Sequence, residues 1–193
     1  MVPVKEGSPL TFVVQAGGKG ARLGGVAKGL IRLGGERIVD RLLALGAEWP
    51  RWVVANEPAA YEDLAVPVVA DVVPGRGAPG GVVTALAVAD TEWVLTVACD
   101  MPFVTRAAID ALLVAAGPDV DVVCFERGGR LEPLLGLYRR ALLDAWGAKL
   151  EDQPSLQGLI RSARYRALTP DDPRALDSLN TPEELQRAGA SLR

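Results

Sequence analysis

Histidine is absent from all 193 residues. That removes the commonest general base and the commonest transition-metal ligand. Serine–histidine and cysteine–histidine hydrolysis are excluded, and any metal chemistry must use carboxylates, which favours Mg²⁺. Cysteine is confined to Cys99 and Cys124, both inside strand-like apolar runs. They read as small buried residues rather than as a disulfide or a metal pair. Lysine is scarce, four against seventeen arginines, and the net charge is -3. With a sequence pI of about 5.1 no basic face is expected, which argues against nucleic acid as a partner. No apolar run approaches the ~18 residues that would span a membrane. Met1 to Leu10 carries Lys5 and Glu6 without the apolar core of a signal peptide, so the protein reads as cytoplasmic. Internal repeats, low-complexity tracts and linker-like stretches are also missing. One domain is therefore expected over residues 1–193, with its core over about 10–188.

Against these absences stands a chain that is 49% apolar, the composition of an ordinary globular protein. Short β-branched runs alternate with amphipathic segments. Strands are expected at Thr11–Gln15, Trp52–Ala55, Val66–Ala70, Trp93–Ala98, Val120–Glu126, Leu134–Tyr138 and Tyr165–Leu168. Helices are expected at Ile38–Leu45, Gly80–Ala89, Arg106–Ala116, Arg139–Ala148, Leu156–Ser162 and Pro182–Ala188. Several strands are continuously apolar, as when helices cover both faces of a sheet. The alternation predicts an α/β fold with a doubly wound, mostly parallel sheet. Thr105 is a candidate N-cap. Thr181 is another, with Pro182 at the first helical position and Glu184 at the third.

The most informative stretch follows the first strand. From Gln15 to Lys28 the chain holds five glycines, and its charges are Lys19, Arg22 and Lys28. Glycines let backbone N–H groups close around a bulky anion, and the cations offset its charge. A dinucleotide fingerprint is ruled out, because Gly18-Lys19-Gly20-Ala21-Arg22-Leu23-Gly24 has one residue too many. The ATPase phosphate loop is ruled out because Gly18-Lys19 is followed by Gly20 and Val13 occupies the first glycine position. What remains points to a polyphosphate ligand at the carboxyl edge of the sheet.

That edge gathers further polar residues. Trp93 to Cys99 is an apolar strand that ends in Asp100, and Pro102 stops its continuation. A carboxylate there can hold Mg²⁺ against phosphate oxygens. An acid before a proline also forms turns and caps, so Asp100 gains its meaning from the loop beside it. Asp71 and Asn56 end their strands in the same manner, and both suit contact with a ribose or base; for Asp71, support of the metal and an Asx-turn stay open beside that reading. The breaker-rich run from Val72 to Gly81 can wrap a ligand or act as a lid. Asn180 precedes a capped helix; it either shapes that helix start or adds a late polar group to the metal or phosphate site.

The glycine-rich loop, the strand ending Cys99-Asp100-Met101-Pro102, and Asn180-Thr181-Pro182-Glu183-Glu184-Leu185 together resemble the MobA family of molybdenum cofactor guanylyltransferases. The resemblance runs from about Leu10 to Leu185. It implies a Rossmann-like nucleotidyltransferase fold, with GTP and molybdopterin as substrates and Mg²⁺ as cofactor. It implies that Gln15, Ala16, Gly17 and Gly18 line the guanine nucleotide and that Lys28 reaches its phosphates, with Arg22 assisting. Asn56 and Asp71 would contact the nucleoside, Asp100 the nucleotide and Mg²⁺, and Asn180 the pterin side. Transient contact with proteins that deliver the cofactor is implied too. The chain departs from the family at Gln15, commonly Leu, and at Ala27, commonly Asp. Glu132 stands where relatives often have a polar or basic residue, a position that bears on the pterin side.

The reaction so implied transfers GMP from GTP to the terminal phosphate of molybdopterin and releases pyrophosphate. The attacking phosphate is already anionic and needs no general base, which suits a chain without histidine. Two rivals remain open on the same residues: transfer of another nucleotide, either CMP to molybdopterin or a nucleotide to a sugar or alcohol phosphate, and nucleotide binding without catalysis.

Overall fold

Leu10–Gln15 forms β1, whose first five residues are buried. Such a strand is apolar on both faces because it lies in the middle of the sheet. The computed structural model describes residues 10–17 and 27–191. After β1 come a small hairpin, β2 (Arg32–Leu33) and β3 (Glu36–Arg37), then α1 (Ile38–Leu45), β4 (Arg51–Val54) and β5 (Val68–Val69). They are followed by α2 (Gly77–Val88), β6 (Trp93–Ala98), α3 (Arg106–Val114), β7 (Val122–Arg127) and β8 (Arg130–Arg139). α4 (Leu143–Lys149), α5 (Leu156–Arg161), β9 (Tyr165–Leu168) and α6 (Pro182–Ser191) complete the described chain.

Seven strands form one sheet in the order β5-β4-β1-β6-β8-β7-β9. The chain steps outward from β1 to β4 and β5, then returns to β6 on the other side of β1. All neighbouring pairs are parallel except those made by β8, which runs antiparallel to both β6 and β7. Helices cover both faces, as the alternating pattern predicts. On one face Ile38, Leu42, Ile109 and Leu112 pack with Phe12 and Val14. On the other, Val82, Leu86, Trp146 and Leu159 pack with Val13 and Val94. Both cysteines are free and buried.

Four expected elements differ, each for a local reason. The strand expected at Leu134–Tyr138 runs instead from Arg130. It is joined to β7 by Gly128 and Gly129, whose φ values of 59° and 77° suit a two-residue hairpin loop. Pro133 cannot donate to the ladder, and the register shifts between Cys124 and Phe125 where it passes. The helix expected from Arg139 begins only at Leu143. Arg139 still pairs with Trp93 in the sheet. Its guanidinium stacks 4.3 Å from the Trp93 ring and donates to Gly117 O at 2.7 Å. The strand expected over Val66–Ala70 shrinks to Val68–Val69 at the sheet edge; Pro67 lends only its carbonyl, to Val53 N at 3.0 Å. α2 starts three residues earlier than expected, with Pro79 inside its first turn, where no N–H is needed.

Asp121 ties the far end of the sheet together. Its carboxylate accepts from Arg164 Nη2 at 2.6 Å, Arg164 Nε at 2.9 Å and the Arg164 backbone N–H at 3.3 Å. Those hydrogen bonds hold its carboxyl below the ordinary carboxylate range. The stabilisation is therefore complete above the unfolded pKa of about 4 and is lost as pH falls through the lower native value. Asp121→Asn is expected to lower Tm by about 2–4 °C at neutral pH. The gap to the wild type should close below about pH 4 in thermal unfolding followed across pH.

Candidate active site

The four strands β5, β4, β1 and β6 are neighbours, and each delivers a polar or glycine residue two positions beyond its end. These are Asp71, Asn56, Gly17 and Asp100. The ladder is extended by backbone bonds just past the strands: Ala55 N to Val69 O at 2.9 Å, Ala16 N to Val54 O at 2.7 Å, and Cys99 N to Gln15 O at 2.9 Å. The side chains that follow are thus held at one carboxyl edge. The strand order reverses there, and a crevice is expected outside the sheet at such a point.

The crevice is present, with a volume of about 380 Å³. Gln15, Gly17, Lys28, Asn56, Asp71 and Asp100 all line it. Its remaining wall is apolar or glycine, from Val54, Gly77, Ala78, Gly81, Ala98 and Leu134. The breaker-rich loop before α2 therefore forms one side of the cleft, as its composition implied. Leu134 was not singled out from sequence; the Pro133 irregularity beside it is the feature that could have marked it. Ala16 is buried beneath the edge rather than lining the cleft. Gly18, Lys19 and Arg22 lie outside the described residues.

Lys28 holds the central contact. It opens a short 3₁₀ turn, Lys28–Leu30. Its Nζ donates to Asp100 Oδ2 at 2.9 Å and to Asn180 Oδ1 at 2.6 Å. Residues 28, 100 and 180 are far apart in sequence, and the ammonium joins them. Asp100 is also fixed through its backbone carbonyl, which accepts from Leu179 N at 2.7 Å. Asn180 is set by the helix that follows. Glu184 Oε2 accepts from Asn180 N at 2.7 Å and Thr181 N at 3.0 Å, while Glu184 N donates to Thr181 Oγ1 at 3.2 Å. This is the capping box expected at Thr181. Asn180 thus both shapes a helix start and meets Lys28. It does not line the cleft itself. It lines an adjoining, more open groove of about 530 Å³ with Phe103, Arg127 and Arg174. Glu132 stands 3.9 Å from Arg127, beside that groove.

The other polar groups are placed as follows. Asn56 Nδ2 donates to Gly17 O, which fastens the start of the glycine-rich loop to the end of β4. Burial raises the Asp71 carboxyl above its ordinary pKa, and the Thr84 hydroxyl partly opposes this. Burial, with the Asp100 carboxylate beside it, pushes the Cys99 thiol up to about 12. Cys99 stays protonated and is no nucleophile. Among the described residues no group of three or more His, Cys, Asp or Glu side chains could cage a metal. The cleft instead offers single carboxylates, the donor set of a hard divalent cation that is shared with substrate phosphates. No helix among the described residues is long and apolar enough to cross a membrane.

A mostly parallel sheet with a lysine–carboxylate pair at its topological switch point defines an α/β protein built to hold an anionic ligand there. The chain belongs to the MobA-like NTP transferase domain family, whose model matches residues 12–168. It is 29% identical over 194 residues to a molybdenum cofactor guanylyltransferase of Vibrio cholerae, covering 98% of this chain and 96% of that one. It is 31% identical over 187 residues to a molybdenum cofactor guanylyltransferase of Pseudomonas putida, covering 92% and 96%. The crystal structure of molybdopterin-guanine dinucleotide biosynthesis protein A from Archaeoglobus fulgidus superposes with a TM-score of 0.80 at 20% identity, covering 94% of this chain and 98% of that chain.

Proposed function

We propose that the protein transfers GMP from GTP to the terminal phosphate of molybdopterin. An oxygen of that phosphate attacks the α-phosphorus, a new P–O bond forms, and the bond to the β-phosphate breaks as pyrophosphate leaves with the electron pair. The observation that carries this reading is the Lys28 ammonium, held by Asp100 and Asn180 between the cleft and the more open groove. The cleft suits the nucleotide, with Gln15, Gly17, Asn56 and Asp71 around the nucleoside. The groove beside Asn180 suits the pterin. Lys28 then stands where the two phosphates meet.

The nucleophile carries its own negative charge, so the protein's task is alignment and charge offset. Lys28 supplies a fixed cation toward the departing pyrophosphate, and Lys19 or Arg22 supplies further charge from the glycine-rich loop. Asn56 holds the start of that loop in place through Gly17. Asp100 would hold Mg²⁺, which when bound offsets charge on the α-phosphate and the incoming phosphate. GTP is a cytoplasmic nucleotide, and the reaction is assigned to that compartment. Molybdopterin would arrive through transient contact with delivery proteins.

Pyrophosphate release from GTP, dependent on molybdopterin, is the direct test. GTP should raise Tm more than CTP or UTP at equal concentration. Stronger protection by CTP, with CTP-dependent release, would select cytidylyl transfer instead. Protection without any release would leave a binding protein.

A further inference from the structure

Gly29 is buried in the middle of the 3₁₀ turn that carries Lys28. Its φ lies outside the left-handed region, so the backbone there does not itself demand glycine. Contact is what excludes a side chain. A Cβ placed on Gly29 would lie 2.9 Å from Tyr61 Oη, 3.2 Å from Tyr61 Cε1 and 3.3 Å from Val39 Cβ. The turn is closed by Leu30 N donating to Ala27 O at 2.9 Å and Ile31 N donating to Lys28 O at 3.2 Å. A displacement at Gly29 is therefore passed on to Lys28.

Tyr61 forms the wall of that seat. It ends the short turn Pro58–Tyr61, in the connection between β4 and β5, with 1% of its surface exposed. A phenol so deeply buried usually finds a hydrogen-bond partner. Tyr61 Oη closes no hydrogen bond among the described residues. The Gly29 backbone is still felt there, since it partly opposes the rise in the phenol's pKa that burial causes. The same connection begins with Asn56, whose Nδ2 donates to Gly17 O. Gly17 stands at the start of the glycine-rich loop and Gly29 just past its end. One short segment, from Asn56 to Tyr61, thus touches the chain on both sides of the loop.

We propose that Tyr61 is a positioning residue for Lys28. Its ring and hydroxyl are the surface on which the Lys28 turn rests, and their fit against Gly29 directs the ammonium to Asp100 and Asn180. Tyr61 does not line the cleft, so it acts through the lysine. The inference rests on the reading of Lys28 as the phosphate contact and adds to it the residue that holds the lysine in place.

The test measures GTP dissociation constants in the presence of Mg²⁺, and kcat and KM for pyrophosphate release with molybdopterin, for the full chain and its variants. Gly29→Ala should weaken GTP binding and lower kcat, together about 10²-fold in kcat/KM, the scale of a small misplacement of a reacting group. Adding Tyr61→Phe, which removes the atom that the new Cβ meets first, should recover about tenfold of that loss. Tyr61→Leu alone should lower kcat/KM about tenfold. In a Lys28→Ala background, neither Gly29→Ala nor Tyr61→Leu should have more than about a twofold further effect, because each acts through the lysine. A merely structural role would lower Tm and carry its full effect into the Lys28→Ala background. That result would overturn the inference and leave the nucleotide reading standing. So would wild-type affinity and kcat in both single variants, or no recovery on adding Tyr61→Phe. If Tyr61→Leu does not fold, Gly29→Ala with and without Tyr61→Phe decides. A wild type that binds GTP but releases no pyrophosphate overturns the transfer reaction, and the dissociation constants then decide the role of Tyr61 by the same comparisons. A wild type that binds no nucleotide overturns both.

Discussion

Asp100→Ala should abolish transfer while the protein still folds, a loss of more than about 10³-fold in rate. The substitution leaves the backbone carbonyl of residue 100 in place, and with it the hydrogen bond from Leu179 N at 2.7 Å. The side chain sits at the end of β6 with 20% of its surface exposed, so its removal opens no core cavity. What disappears is the carboxylate proposed to hold the divalent cation and the acceptor that positions Lys28 at 2.9 Å. Asp100→Asn separates these roles, since it keeps an oxygen that can accept from Lys28 but gives up the charge. It should be nearly as inactive as the alanine variant. Near-wild-type Tm with no detectable pyrophosphate release is the expected pair of results. Mg²⁺-dependent transfer retained by Asp100→Ala would refute the assignment.

The cleft was legible in the sequence because its residues follow strands. Asn56, Asp71 and Asp100 each come directly after an apolar run that can only be a strand, and successive parallel strands put their carboxyl ends on one edge. β6 has the predicted limits for the same reason: its run is apolar or β-branched and Pro102 follows it. β9 also has the predicted limits, although its Tyr165-Arg166-Ala167-Leu168 run is largely exposed. The Thr181 capping box was legible because its donors and acceptors lie within four residues. The antiparallel course of β8 was not read, though Gly128-Gly129 between two strand-like runs is a hairpin signal. Arg139 misled because a charged residue before an amphipathic segment suggests a helix start, whereas stacking on Trp93 keeps it in the sheet. Long-range partners were the least accessible. Nothing in local spacing says that Lys28 reaches Asn180, or that Gly29 meets Tyr61. These depend on how close the C-terminal segment and the connection between β4 and β5 come to the Lys28 turn.

Lys28→Ala should cost on the order of 10²–10³ in rate, the effect of losing one preorganised charge donor. Its side chain is only 14% exposed and its ammonium is fixed by two oxygens before any ligand arrives. Little reorganisation is then needed when negative charge builds on the departing pyrophosphate. The same contact has a second consequence. Without Lys28, Asp100 presents an unbalanced negative charge to incoming phosphates, so GTP affinity should fall together with rate. Adding Asp100→Ala to Lys28→Ala should therefore cost less than the two single losses combined, because the residues act as one unit. Lys28→Arg should recover part of the rate but not all of it, since a planar guanidinium cannot satisfy Asp100 and Asn180 with the geometry of a compact ammonium. Steady-state kinetics of pyrophosphate release, with the GTP concentration varied, read both effects. A near-normal rate in Lys28→Ala would make the lysine peripheral and would leave Arg22 and Lys19 to carry the charge.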